Sequence, residues 1–238
     1  MSQIKKEKIC VIIPVYNEAD SIAHVLEDIP KSLVDEVVVV DNGSTDGSDQ
    51  IAIKQGATVI RESERGYGAA CLRGMEYLKK SGPPHILVFL DGDYSDYPED
   101  MIPLVDKIRE GYDFVLGSRV LGVEAGIAKL SSHSILGNKL AGFFLKWLFR
   151  GDYTDLGPFR AIIFDKLLQL NMADRNYGWT MEMQIKATRQ HLKTLEIPVR
   201  YRERFGGVSK VTGTFKGSVK AFAKITLIVI LYFLRIKK

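Results

Sequence analysis

The stretch Ile86-Leu87-Val88-Phe89-Leu90-Asp91-Gly92-Asp93 constrains the fold more than any other part of the chain. Five consecutive apolar residues suit a strand buried on both faces, the pattern of a parallel sheet covered by helices on each side. The two aspartates then fall where that strand emerges into a loop. At i and i+2 on extended chain they project to the same side, and Gly92 between them lets a ligand approach the backbone. Carboxylate oxygens at the carboxyl edge of an α/β sheet suit a hard divalent cation, whose other partner is commonly phosphate. A solvated acidic turn after a core strand is the competing reading of these three residues taken alone.

The flanking sequence repeats the same unit. Residues 9–15 form a continuous apolar run broken only by Pro14, and Asn17 can cap a helix that carries Ile22, Val25, Leu26 and Ile29 at i, i+3, i+4 and i+7 before Pro30 ends it. Residues 34–40 read as a second buried strand. It delivers the chain into Asp41-Asn42-Gly43-Ser44-Thr45-Asp46-Gly47, a run of turn formers that opens a helix at Asp46 or Gly47. Residues 57–60 make a short third strand. Arg65-Gly66-Tyr67-Gly68-Ala69-Ala70 then leads into a helix with Cys71, Met75 and Leu78 inward.

Beyond Asp93, Pro98 starts a helix with Met101, Leu104, Val105 and Ile108 on one face, and residues 112–117 form a strand ending in Ser118-Arg119. Strands alternating with helices at this spacing predict an α/β fold with a doubly wound, mostly parallel sheet, whose polar strand ends bind ligand. Residues 120–132, with Gly122 and Gly126, have no clear period and read as a mobile loop. Residues 134–149 look helical, and their aromatic-apolar face of Phe143, Phe144, Trp147 and Leu148 is first read as core packing and second as contact with lipid chains. Residues 153–160 enter another strand, a helix around residues 179–190 has Glu182 near its start, and residues 192–200 form the last strand.

At 238 residues and 46% apolar content the chain fits one large domain, residues 1–212, with an appendage at residues 213–238. Cys10 and Cys71 lack metal-ligand spacing and sit in apolar contexts, so buried free thiols in a reducing compartment are expected. Residues 1–8 are polar and run straight into the first strand, so no secretory leader is expected. The net charge of +4 hides an asymmetry: residues 199–238 sum to +9 and the first 198 to −5. A basic, partly apolar end on an acidic body is built to meet anions.

Residues 225–234 are uncharged and apolar but for Thr226. As a helix they rise about 15 Å, half of a bilayer's roughly 30 Å core. A helix lying in the interface is therefore expected, with Lys220, Lys224, Arg235, Lys237 and Lys238 reaching an anionic membrane surface. A terminal helix packed on its own domain, or on a second copy in a homo-oligomer, is the alternative. Nucleic acid is excluded as a partner, because the basic residues sit in an apolar tail without a reading motif.

Taken together in order and spacing, Pro14-Val15-Tyr16-Asn17-Glu18, residues 41–47, Gly66-Tyr67-Gly68-Ala69, Asp91-Gly92-Asp93, Gly117-Ser118-Arg119, residues 155–160 and residues 204–210 carry a resemblance. Over roughly residues 8–224 the chain resembles inverting family-two glycosyltransferases of the GT-A fold, within them the dolichyl- or polyprenyl-phosphate sugar synthase branch. The resemblance implies a nucleotide-sugar donor with Pro14, Tyr16 and Glu18 lining the nucleotide pocket and Asp41 bonding an edge of the base. It implies that Asp91 holds the ribose or shares the metal, and that Asp93 ligates Mg2+ or Mn2+ bridging the diphosphate. Arg65 and the Gly66 turn stand beside the sugar nucleotide, or Gly66 and Gly68 only shape the helix start.

On the acceptor side the resemblance implies Arg119, Arg204, Ser209 and Lys210 around a phosphate, with Lys129 or His133 contributing from the mobile loop. A phosphate monoester is already nucleophilic and needs charge screening more than a base. If the acceptor is instead a glycan or small-molecule hydroxyl, a base is required, and Asp155 or Glu182 is the choice. Two positions depart from the pattern: Ser95 stands where some mannosyl members have Gln, and residues 122–133 lack paired arginines. The expectation is a metal-dependent hexosyltransferase with a polyprenyl-phosphate acceptor, cytoplasmic and peripheral to the membrane face. A pyrophosphorylase would want a glycine-rich loop where Tyr16-Asn17-Glu18 stands. A non-catalytic nucleotide-binding module at the membrane surface is the remaining alternative.

Overall fold

The computed structural model describes residues 7–206. Ser209, Lys210 and the terminal helix expected in residues 213–238 lie outside the described residues, as does the side chain of His133. The strands are β1 (Ile9–Val15), β2 (Glu36–Asp41), β3 (Thr58–Arg61), β4 (Ile86–Phe89), β5 (Phe114–Ser118), β6 (Arg160–Ile163) and β7 (Thr194–Pro198). They form one sheet in the order β3-β2-β1-β4-β6-β5-β7.

All pairings are parallel except those of β6, which runs antiparallel to both β4 and β5. That reversal matters for the site. In the β4–β6 register Phe89 faces Arg160, so β6 begins at the edge where β4 ends. The loop before β6 and the exits of β1, β2, β4, β5 and β7 therefore meet on one side of the sheet. The chain also changes direction there, passing from β3 at one margin back to β4 on the far side of β1, which is the crevice where open α/β sheets take ligands.

Alternation along β1 explains the layers. Ile9, Val11, Ile13 and Val15 pack with Ile22, Val25 and Leu26 of α1 (Ile22–Asp28), Ala52 of α2 (Ser48–Lys54) and Met101, Leu104, Val105 and Ile108 of α4 (Met101–Arg109). Cys10 and Ile12 face the opposite layer, with Ala70, Cys71, Met75 and Leu78 of α3 (Tyr67–Ser81). The remaining helices are α5 (Arg119–Glu124), α6 (Ser132–Phe149), α7 (Phe164–Gln169) and α8 (Trp179–Arg189). Both cysteines are buried and free, as expected. Among the described residues no helix is long and apolar enough to cross a membrane.

Three local expectations are corrected. Residues 120–124 of the expected loop are helical, within α5, because the Ser118 hydroxyl accepts from Leu121 N at 3.1 Å and caps that helix. Asn17 does not cap α1; it sits at φ 53° and its Oδ1 accepts from Thr45 N, bridging to the loop after β2. On α6 it is Ala141, Leu145 and Phe149 that reach the core, while Phe143 is 60% and Trp147 71% exposed. Core packing is thus the wrong reading for those two rings. The helix is apolar on two faces, and only one of them packs into the core.

Candidate active site

The loops after β1 and β2 are stitched together by short polar side chains. Asn17 N donates to Ser44 Oγ (3.0 Å), Glu18 N to Ser48 Oγ (2.8 Å) and Ala19 N to Asp46 Oδ2 (3.0 Å). These bonds use the turn formers of residues 41–47 to fix the chain around Tyr16 and Glu18. Asp41 is buried, accepts from Ser44 N at 2.8 Å and lies 3.3 Å from Arg61 Nε. The Arg65 guanidinium covers the Tyr16 ring at 3.5 Å and donates to Gly43 O at 3.3 Å. Pro14, Tyr16 and Asp41 thus lie at the adjoining ends of β1 and β2, and Arg65 reaches them from the loop after β3.

Gly66 and Gly68 serve close packing. Residues 173–176 cross the start of α3 so tightly that a Cβ on Gly66 would lie 2.0 Å from Arg175 O and one on Gly68 2.0 Å from Asp174 O. Ala69 N donates to Arg175 O at 2.9 Å, while Gly66 N donates to Asn42 Oδ1, so protein groups occupy these donors. Glu182 holds the crossing segment from beneath. Its carboxylate accepts from Ala173 N and Asp174 N (2.7 Å to Oε2) and lies 2.8 Å from Lys186 Nζ.

At the exit of β4 the acids gather. Asp91 Oδ1 is sealed from solvent without a hydrogen-bond partner, and burial, then the charge of Asp93, push its carboxyl up to about 7. Asp93 Oδ1 accepts from Ser95 N (3.0 Å) and Ser95 Oγ (2.6 Å), so the serine found in place of glutamine orients this carboxylate. Arg204 bonds Glu18 and brings Nη1 to 3.6 Å from Asp93 Oδ2. The structure therefore sets Arg204 against the carboxylates of β1 and β4. Asp96 is also buried, with neither oxygen partnered, and burial followed by the Asp91 charge pushes its carboxyl well above the usual range.

Arg119 and Asp155 form a buried pair across the exit of β5 and the entrance of β6. Asp155 Oδ2 accepts from Arg119 N and Nε, both at 2.8 Å, and Oδ1 accepts from Arg119 Nη2 (2.7 Å) and Gly157 N (3.1 Å). Burial works to raise the Asp155 carboxyl, yet the Arg119 charge and these bonds outweigh it and hold it below the usual range. Arg160 is fully buried and donates to the carbonyls of Gly157, Pro158 and Thr180, closing the corner into β6. Lys129 is exposed, its N–H donating to Tyr201 O.

The unpaired Asp91 oxygen beside Asp93 is the donor set a hard divalent cation accepts. Among the described residues no group of three or more His, Cys, Asp or Glu could hold a metal ion. Sequence reasoning missed Asp96, three residues past Asp93, and Tyr67, whose buried hydroxyl lacks a partner. An acid that close to Asp91-Gly92-Asp93 was the available signal for the first. Tyr67 lies inside the Gly66-Tyr67-Gly68 run, and its hydroxyl is a polar neighbour of the buried Asp91 carboxyl.

A family model described as Glycosyl transferase family 2 matches residues 10–206. Glycosyltransferase AglJ of Haloferax volcanii is 30% identical over 202 residues, which is 84% of this chain but 65% of that relative, so the chain spans less than two thirds of its length. Dolichyl-phosphate hexose transferase of the same organism is 31% identical over 211 residues, covering 87% of this chain and 88% of its own. Among solved structures, glucosyl-3-phosphoglycerate synthase from Mycobacterium tuberculosis in complex with Mn2+, UDP and glucosyl-3-phosphoglycerate matches with a TM-score of 0.73 at 21% identity, over 96% of this chain and 80% of that one. Its GT-A, Rossmann-like fold is the fold of this chain.

Proposed function

Because the chain belongs to glycosyl transferase family 2, we propose that it moves a hexosyl group from a nucleoside-diphosphate sugar to a polyprenyl phosphate, with inversion, at the cytoplasmic face of a membrane. Asp91 and Asp93 hold Mg2+ or Mn2+ in this reading. When bound, the ion stabilises the charge that gathers on the diphosphate as the glycosidic bond breaks. Tyr16, beneath Arg65, and Asp41 take the base and ribose side. Arg119, fixed by Asp155, presents a positive charge whose direction is set before substrate arrives, and Arg204 stands within reach of phosphate oxygens. Lys129, His133, Ser209 and Lys210 complete the acceptor side.

The observation that carries the acceptor is the state of the carboxylates. A carboxylate offers about four lone-pair sites, and on Asp155 four donors fill them, while Glu182 is occupied by two backbone N–H groups and Lys186. Of the two carboxylates expected as bases for a hydroxyl acceptor, neither is disposed to take a proton, which favours an acceptor that arrives as an anion over one activated by either of them. The relative named dolichyl-phosphate hexose transferase supports the same class. So does the exposed apolar face of α6, where Leu136, Leu140, Phe143 and Trp147 recur at i, i+4, i+7 and i+11.

The test is transfer of labelled hexose from UDP- and GDP-sugars, with Mn2+, to a short polyprenyl phosphate. Label should enter the organic phase, and Asp93→Asn should lower the rate by roughly 100-fold or more. Label that reaches only a hydroxyl acceptor, with Glu182→Gln or Asp155→Asn abolishing turnover, would overturn the lipid-phosphate reading.

A further inference from the structure

Arg204 brings its guanidinium to Asp93, one of the two carboxylates that would hold the divalent ion, and to Glu18. It bonds Glu18 and stands 3.6 Å from Asp93 Oδ2, and with the Arg204 side chain 18% exposed and that of Asp93 19%, water screens the contact only partly. The residues around it form a strap across the loop that follows β4. Arg202 N donates to Ser95 O (2.9 Å) and its Nε to Tyr94 O (2.7 Å), with the guanidinium 3.4 Å from the Tyr94 ring centroid and 4.1 Å from that of Tyr97. Phe205 N donates to Asp93 O (3.3 Å), and its ring packs edge-on against His24 (4.8 Å) and Tyr94 (6.0 Å).

The strap is therefore anchored on both sides of Arg204 by contacts that involve no carboxylate. Among the described residues Arg204 itself is joined to it through its own Nε, donating to Gly206 O at 2.7 Å, so the contacts that seat the strap do not depend on which anion the tip meets.

We propose that Arg204 is a built-in counter-ion that makes the divalent cation and the nucleoside diphosphate bind together. With no nucleotide present the guanidinium competes with the cation for Asp93. A diphosphate offers more negative charge and bidentate geometry, draws the guanidinium onto itself and frees Asp93 for the ion. Each ligand then raises the affinity of the other by one common factor. The inference rests on the reading of Asp91 and Asp93 as the metal ligands.

The experiment is Mn2+ binding to the full chain, read by the EPR signal of free Mn2+, with and without UDP or GDP and with no sugar transferred. Arg204→Met should tighten nucleotide-free Mn2+ binding by about tenfold and shrink the gain that nucleotide brings by a similar factor, whereas Arg204→Lys, which keeps the charge, should behave more nearly like the wild type. Phe205→Ala, which loosens the strap and keeps the guanidinium, should tighten nucleotide-free binding to a smaller degree, and it decides the matter should Arg204→Met fail to fold. Unchanged or weaker nucleotide-free affinity in these variants overturns the counter-ion. Absence of Mn2+ binding in every variant and the wild type, even with nucleotide, overturns the metal reading and the inference with it.

Discussion

Asp155 sits 36 residues from Arg119 in sequence, and only the fold brings the two into one buried pair. Deleting one charge of such a pair leaves the other buried and uncompensated, a loss of about 3–5 kcal/mol. Asp155→Asn should therefore lower stability by that order in urea melts at neutral pH. The sign of its pH dependence follows from the shift. A carboxyl held below its unfolded value contributes stability above that value, near 3.9, and loses it as pH falls through the lower folded value. Melts of wild type and variant should stay separated from pH 7 to about pH 4 and converge below it. Convergence already at pH 6 would mean that Arg119 is not what holds the carboxyl down. From the sequence the family resemblance singled out both residues but gave them separate tasks, because a motif fixes a residue's neighbours in the chain and says nothing of its partner across the sheet.

At the level of elements, the start of α3 and the segment under it are shaped by what is missing from two side chains. With carbonyl oxygens 2.0 Å from where a Cβ would lie, Gly68→Ala and Gly66→Ala must push backbone, and backbone yields less than a side chain tip. Each should cost roughly 1–3 kcal/mol by thermal melting, whereas Gly137→Ala on α6, with nothing within 4 Å, should be stabilising or neutral. Equal Tm values for Gly68→Ala and Gly137→Ala would remove the close-crossing account. The Gly66-Tyr67-Gly68 run was legible as a helix start, and the crossing segment was not, since residues 173–176 carry no periodic signal. The aromatic face of α6 was misjudged for a related reason. A 3.6-residue period counts apolar positions, and on a helix apolar on two faces it cannot tell which one the core covers.

On the scale of the whole molecule, the alternating pattern specified a doubly wound sheet, yet no periodicity gives a strand its direction, so the reversal of β6 had to come from the structure. That reversal delivers Asp155 to the edge where β1, β2 and β4 end, the edge at which the proposed function seats donor and acceptor. In the proposed reading, the charge asymmetry, +9 over residues 199–238 against −5 before them, and the exposed apolar face of α6 make separable contributions to membrane attachment. Helix α6 contains Lys139 and Lys146 and no acidic residue, the composition of a helix that lies on anionic lipid. Flotation of the full chain with anionic vesicles should fall steeply as salt rises from about 0.1 M, where charges act over about 10 Å, toward 1 M, where they act over about 3 Å. A remainder should persist through the apolar rings, and the double substitution Phe143→Ser and Trp147→Ser should remove it while changing stability by no more than about 0.5 kcal/mol per site, because both rings are exposed. Flotation that is insensitive to salt, or unaffected by loss of the two rings, would detach the lipid surface from this face and leave a soluble phosphorylated acceptor as the better match to the same active-site charges.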